Sequence, residues 1–195
     1  MLQRLLLPVL FCGAMFAQNS DLGVLAGVGT PASATISGMR ISGSVRGRLQ
    51  INYATQLRDT SAGRLYLELP FLLGGTSLSI VEKAGIYGTS GTTIYFTPGV
   101  RWNFPLHSRL SLYGATGVGV AAFIGNSTLI VGNQIAARSG SSASFAGALG
   151  AGFDVRLSRL ISLRGEVRDF ISRKGANGID GRHDVIFGAG VGFHW

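Results

Sequence analysis

The stretch DVIFGAGVGFHW, residues 184–195, alternates without a break. Val185, Phe187, Ala189, Val191, Phe193 and Trp195 share one parity; Asp184, Ile186, three glycines and His194 share the other. Successive side chains of a strand point to opposite faces, so this segment offers one apolar face and one small or polar face. A carboxy-terminal tail is ordinarily the loosest part of a chain. An unbroken stripe there requires an explanation from the rest of the sequence.

The same alternation recurs. Leu22 to Gly29 sets Leu22, Val24, Ala26 and Val28 against Gly23, Leu25 and Gly27. SVRGRLQINYATQL, residues 44–57, sets Leu49, Ile51 and Tyr53 against Arg46, Arg48, Gln50 and Asn52. Comparable runs cover 64–71, 93–104, 110–120, 144–156 and 161–168. With the tail this predicts eight strands of roughly 8 to 14 residues each. Three connections are short (58–63, 105–109, 157–160), and four are long and rich in Gly, Ser, Thr and Asn (31–42, 74–91, 124–142, 171–182). Long and short alternate along the chain, as in an up-and-down sheet with one rim trimmed and the other decorated.

The amino terminus points to export. MLQRLLLPVLFCGAMFA, residues 1–17, has one basic residue, an apolar run and small residues near its end. That is the layout of a signal peptide, too short to span a bilayer as a helix. The predicted division is a signal peptide at 1–17 and a single domain at 18–195, with cleavage after Ala17, or after Ala14 because Met15 suits the cut poorly. Phe11 argues against lipid attachment at Cys12, the sole cysteine, so neither disulfides nor thiolate metal sites are expected. Net charge is +8, yet the basic residues form no run, which argues against nucleic acid.

Alternation alone fits any half-buried antiparallel sheet. Three features favour lipid on the apolar side: the even strand number, the alternating turn lengths, and an apolar face without Lys, Arg or Glu in any predicted strand. Its one acid, Asp169, falls at the upper end of its strand. An outward arginine at mid-membrane would cost roughly 2–4 kcal/mol. Outward aromatics gather towards the strand ends, Tyr53, Trp102, Phe104, Phe153, Phe193 and Trp195 at one and Phe71, Phe145 and Phe187 at the other. In hydrocarbon an open sheet edge leaves backbone groups unsatisfied, so the last strand must pair with the first. The expected fold is a closed antiparallel up-and-down transmembrane β-barrel of eight strands.

LYLELPFLL, SLYGATGVGVAAF, LRGEVRDF and the terminal GAGVGFHW resemble the small eight-stranded outer-membrane β-barrel family, which includes OmpA-like and OmpX-like barrels. The resemblance covers the whole mature chain and implies a bacterial outer-membrane location, with termini in the periplasm and four loops outside. It implies that Val191, Phe193 and Trp195 serve as the terminal signal read by the barrel assembly machinery. It also implies that a separate peptidoglycan-binding domain, found in some relatives, is lacking, since the chain stops at Trp195.

An eight-stranded barrel is just wide enough inside for side chains. Parity sends Arg46, Arg48, Arg101, Arg156, Arg164 and Arg168 inward with Glu68, Asp154 and Glu166. Such groups must pair or meet water, so the expectation is an ion-pair plug, with inward glycines making room for arginines from the opposite wall. A narrow gated channel or a bound anion is the alternative, drawn by six basic against three acidic groups. His183 and Asp184 lie beside Asp180 and Arg182 at the outer rim, but neighbours in a strand face opposite ways and form no dyad. His107 and His194 lie at the other end. A rim enzyme acting on lipid or peptide is thus the weaker alternative, and three scattered histidines make a metal site unexpected. No cofactor is expected: GVGVAAFIG and GALGAGF precede no helix and are not nucleotide loops.

Two prolines disturb the pattern. Pro70 and Pro98 fall inside strands, where each removes a ladder donor, and a paired bulge or a break is expected there. Phe170 reads inward, so its strand is expected to bulge or end near Asp169. The long loops hold β-prone runs suited to extending hairpins above the membrane towards a surface partner. The resulting expectation is a monomer, in contact with outer-membrane lipid, with a structural, surface-contact or adhesion role. A soluble lipocalin-like barrel, with the apolar face inward, is the competing architecture.

Overall fold

Strands make up nearly all of the residues that the computed structural model describes, namely 19–31, 34–36, 39–43, 46–82, 85–131, 134–174 and 180–195. The expected leader at 1–17 lies outside them. The strands are β1 (Ser20–Pro31), β2 (Ala34–Ile36), β3 (Met39–Gly43), β4 (Arg46–Thr60), β5 (Gly63–Glu82), β6 (Gly85–Phe96), β7 (Gly99–Pro105), β8 (Leu110–Val131), β9 (Gln134–Arg156), β10 (Ile161–Lys174) and β11 (Asp180–His194). β2 and β3 form a small hairpin within the first long connection. β6 and β7 continue one another along a single stave, since β5 and β8 pair with both. Eight antiparallel staves remain, and β1 closes the ring by pairing β4 on one side and β11 on the other.

The closure explains the striped tail. β11 pairs β1 from Asp21 opposite His194 to Pro31 opposite Asp184, and pairs β10 along its other edge. Beyond the strand, Ser20 and Trp195 exchange backbone hydrogen bonds of 3.0 and 3.1 Å. Every edge of the ring therefore has a partner.

Parity decides what lies inside. Val118, Phe145 and Leu149 are 62, 64 and 64 % exposed, while Arg101 and Arg164 are 0 and 2 % exposed. The exterior is apolar and the interior charged, the reverse of a water-soluble barrel. The lipocalin-like alternative is excluded on that ground.

Several local expectations need correction. Pro70 sits within an unbroken β5, opposite Asn52. At Thr97 and Pro98 the stave loses its strand character, but no bulge forms. Phe71 opposite Phe96 and Glu68 opposite Gly99 keep the same register on either side of the gap. Proline costs ladder bonds here, not residues, and Thr97 N still donates to Pro70 O at 3.4 Å. β10 likewise runs straight through Asp169 to Lys174, and Phe170 points inward, 0 % exposed, because the lumen has an apolar tenant for it. The register does shift between Gln56 and Arg58, where no proline or glycine announces it.

The strands also exceed their expected length. β8 and β9 span 22 and 23 residues and pair from Leu110 opposite Val155 to Val131 opposite Gln134. β5 and β6 extend in the same way to Glu82 opposite Gly85. The second and third long connections are thus continuations of the ladder and not loose loops. At the short-turn end the links are tight. Gly63 closes one with φ +142°, a conformation favouring glycine, and Trp102 Nε1 stands 2.6 Å from where its Cβ would be.

Candidate functional site

The lumen is built by alternation on seven staves. Asp21 comes from β1, Gln50 and Asn52 from β4, Tyr66 and Glu68 from β5, Arg101 from β7, Tyr113 from β8, Asp154 from β9, and Arg164, Glu166 and Arg168 from β10. Because each is a strand residue of inward parity, all of them meet in one narrow space. A charge confined there must find a counter-charge or remain hydrated.

They find one another. Arg164 grips Asp154 with a fork, Nε to Oδ1 at 2.8 Å and Nη2 to Oδ2 at 3.1 Å, and donates from Nη1 to Asp21 Oδ1 at 3.3 Å. Asp21 is shared with Arg101, which donates to both of its oxygens and approaches Glu68 Oε1 at 3.5 Å. Glu68 in turn accepts from Arg168 Nη2 at 2.8 Å. Arg168 Nε lies 2.6 Å from Glu166 Oε1 as an ion pair, and Arg168 Nη2 donates to Glu166 Oε2 at 3.2 Å. Seven groups therefore alternate in sign: Asp154, Arg164, Asp21, Arg101, Glu68, Arg168, Glu166. Two rings line the path. Arg101 lies 4.9 Å from the Tyr66 centroid, and both Arg101 and Arg164 lie 5.5 Å from that of Tyr113.

Glu166 ends the chain with its oxygens well supplied. Gln50 Nε2 donates at 2.7 Å, Tyr113 Oη at 2.8 Å and Asn52 Nδ2 at 3.3 Å. Charge-assisted bonds of this kind are about twice as strong as neutral ones. A lattice in which each charge has several partners is held in one arrangement, whereas an isolated pair would be free to shift.

Farther from the short turns the lumen changes character. Leu72, Tyr95, Ala121, Phe123, Phe170 and Ile186 cluster there, fully buried. Tyr95 stacks obliquely on Phe170 at 4.8 Å and meets Phe123 edge-on at 6.1 Å. Tyr95 Oη donates to Asp184 Oδ2 at 2.6 Å, and Arg48 Nη2 stands 4.0 Å from Asp184 Oδ1. Arg48 also donates to the Gly75 carbonyl.

Among the described residues the buried lumen shows no basic surplus: its buried charges are Arg48, Arg101, Arg164 and Arg168 against Asp21, Glu68, Asp154, Glu166 and Asp184. Arg156 stands exposed at the mouth, because it is the last residue of β9, where the tube opens to solvent. The Arg46 side chain lies outside the described residues. Asp21 and Asp184 join the lumen beyond the expected set: parity places both inward, but Asp21 precedes the first expected strand by one residue and Asp184 lies at the expected rim. The glycines act on a shorter range than expected. A Cβ on Gly23 would come within 2.6 Å of Arg164 Nη1, and one on Gly150 within 3.1 Å of Arg168 Cγ. Gly150 is directly paired with Arg168, and Gly23 lies two staves from Arg164, so the room is made for near neighbours and not for the opposite wall.

The histidines separate. His183 points outward and its Nδ1 lies 2.7 Å from Asp169 Oδ2, while Asp184 points inward to Tyr95. His194 Nε2 meets Ser162 Oγ at 2.9 Å near the short-turn mouth, and His107 lines the same mouth. Among the described residues no three His, Cys, Asp or Glu side chains are grouped to hold a metal ion. At the tail, Phe193 and Trp195 are exposed on the outer wall, Val191 is half-exposed, and the Trp195 ring lies 6.5 Å from that of Tyr53.

Comparison with known proteins agrees with this architecture. The family described as outer membrane protein beta-barrel domain matches residues 5–193. The crystal structure of Ail, the attachment invasion locus protein of Yersinia pestis, superposes with a TM-score of 0.52 at 13 % identity, over 91 % of this chain and 99 % of that one. Neisserial surface protein A superposes with a TM-score of 0.51 at 11 % identity, over 90 % of this chain and 96 % of that one. At such identities the likeness is one of fold. Among curated protein sequences no relative matches the chain.

Proposed function

Since the chain belongs to the outer membrane protein beta-barrel family, we propose that it is a closed, non-conducting barrel with a structural and surface-contact role. In this reading the short turns and the chain ends face the periplasm and the extended hairpins face outward. One observation carries the proposal: the lumen is filled in two successive zones. A hydrated ion entering from the short-turn mouth meets seven interlocked charges, then an apolar cluster of Leu72, Phe123, Phe170 and Ile186 around Tyr95. Rearranging the first zone alone leaves the second shut.

The surface role falls to the sheet that β5, β6, β8 and β9 continue beyond the barrel, in which β6 also pairs β8 and the outer edge of β9 before Ala146 is the one offered to a partner among the described residues. Ail is the attachment invasion locus protein of Yersinia pestis, which is in keeping with this assignment. Val191, Phe193 and Trp195 serve as the segment that the assembly machinery reads, and the barrel works as a monomer.

Planar-bilayer recording on the purified protein tests the closed lumen. No openings above the lipid baseline are expected. Discrete, voltage-independent steps would replace the plug with the narrow-channel reading.

A further inference from the structure

The buried lumen uses its charges internally, and among the described residues it holds four arginines against five carboxylates. The chain nevertheless carries +8 overall, so its basic surplus sits elsewhere. Part of it stands at the short-turn mouth. Two cavities of about 210 and 230 Å³ open there, and Arg64, Tyr66, Arg156 and His194 line both. Arg109 lines the first and Arg159 the second. The carboxylates in their walls, Asp21 and Asp154, are already held by Arg101 and Arg164. Arg64 has Asp59 at 3.4 Å. Arg109, Arg156 and Arg159 have no carboxylate partner among the described residues.

The turns that carry two of these arginines also carry exposed leucines. Leu106, Leu157 and Leu160 are 56, 59 and 62 % exposed, at the foot of the apolar wall. Leucine beside arginine at that level is the composition of an interfacial anchor: the side chain enters the acyl boundary while the cation meets the headgroups. A guanidinium fork matches phosphate oxygens in geometry as well as in charge.

From this convergence we infer that the short-turn mouth binds the phosphate of an anionic phospholipid headgroup. Arg109, Arg156 and Arg159 hold the phosphate, and the acyl chains lie against the leucine turns. The lipid of the inner leaflet is the source, because a soluble phosphate would make no use of the leucines. The inference rests on the proposed orientation, in which this mouth faces the periplasm.

The test uses the full protein in nanodiscs of equal phosphatidylglycerol and phosphatidylcholine, with native mass spectrometry counting the lipids that stay bound on release. Preferential retention of phosphatidylglycerol by about tenfold is expected, lost in Arg109→Gln/Arg156→Gln/Arg159→Gln and kept in Arg173→Gln, an exposed position on β10. Equal retention of both lipids by the parent protein, or an undiminished preference in the triple variant, would overturn the site. Glycerol phosphate binding to the lipid-free protein as tightly as the lipid would overturn the lipid as its source. A heat-modifiability gel checks that each variant is folded. Both faces are open in a nanodisc, so the result does not depend on orientation in the cell, which protease accessibility on intact cells reports separately.

Discussion

Arg164→Met is the sharpest probe of the lumen. The substitution keeps an unbranched apolar stem and removes three donors: two to Asp154 and one to Asp21. The consequences for the two carboxylates differ. Asp21 keeps Arg101, whereas Asp154 keeps only the Ser162 hydroxyl at 3.4 Å. Leaving one member of a buried pair without its partner costs about 3–5 kcal/mol. Asp154 borders the mouth cavity, where water reaches it, so the lower end, about 3 kcal/mol, is expected. Removing the stranded charge as well, in Asp154→Asn/Arg164→Met, should recover about 1–2 kcal/mol of that loss, because the double variant buries no unpaired ion. Equilibrium urea unfolding in lipid vesicles measures both, with Trp102 and Trp195 as fluorescent reporters on the outer wall. The reasoning fails if the single variant lies within about 1 kcal/mol of the parent, or if the double variant is no more stable than the single.

Three further outcomes follow from the geometry. Val118→Arg, on the outer wall, should destabilise the barrel by about 2–4 kcal/mol, whereas Leu160→Arg, equally exposed at 62 % but in a short turn, should cost about 0–1 kcal/mol in the same urea titration. Gly152→Val places a Cβ 2.4 Å from the Gly165 carbonyl oxygen and 2.5 Å from the Tyr113 hydroxyl, so the β9–β10 ladder must shift and Tyr113 must swing away from Glu166, and a loss of about 3 kcal/mol in unfolding free energy is expected. Trp195→Ala keeps the backbone bonds to Ser20, so the refolded protein should lose no more than about 1 kcal/mol, while the yield of heat-modifiable barrel in cells drops.

Parity made most of the fold legible, since in a barrel one bit per residue decides between lipid and lumen. It failed where the contents of the lumen mattered more than its sign. Phe170 has inward parity, which by itself suggests a fault in its strand, yet the ring is accommodated because Tyr95, inward by the same parity, stacks on it. Tyr95 and Phe123 are diagonal neighbours on the paired strands β6 and β8, but Phe170 lies two staves beyond β8, and only the curvature of the closed ring brings it round to face Tyr95. Asp21 is illegible for a simpler reason: it lies at a strand boundary, where alternation has no second neighbour to support it. Pro98 misled in the opposite direction, since the loss of an N–H donor predicts disorder in the ladder yet leaves the register untouched. The Gln56 shift carries no compositional mark at all.

The two zones of the lumen answer a problem that the outer wall cannot solve. Acyl chains are as apolar as leucine, so the exposed Val, Leu and Phe side chains gain little from one another once the barrel is in lipid. Shape must then come from the backbone ladder and from whatever fills the tube. The ladder fixes strand neighbours but resists shear only weakly where glycines line it, as at Gly188, Gly190 and Gly192 on β11. The charged chain ties β1, β5, β7, β9 and β10 across the ring, and the aromatic cluster ties β5, β6, β8, β9, β10 and β11 above it. Slipping β7 or β10 by one residue would turn a buried arginine towards hydrocarbon, and slipping β1, β5 or β9 would do the same to a buried carboxylate. The interior charges therefore specify register, and the closed lumen proposed above would be a consequence of the same packing.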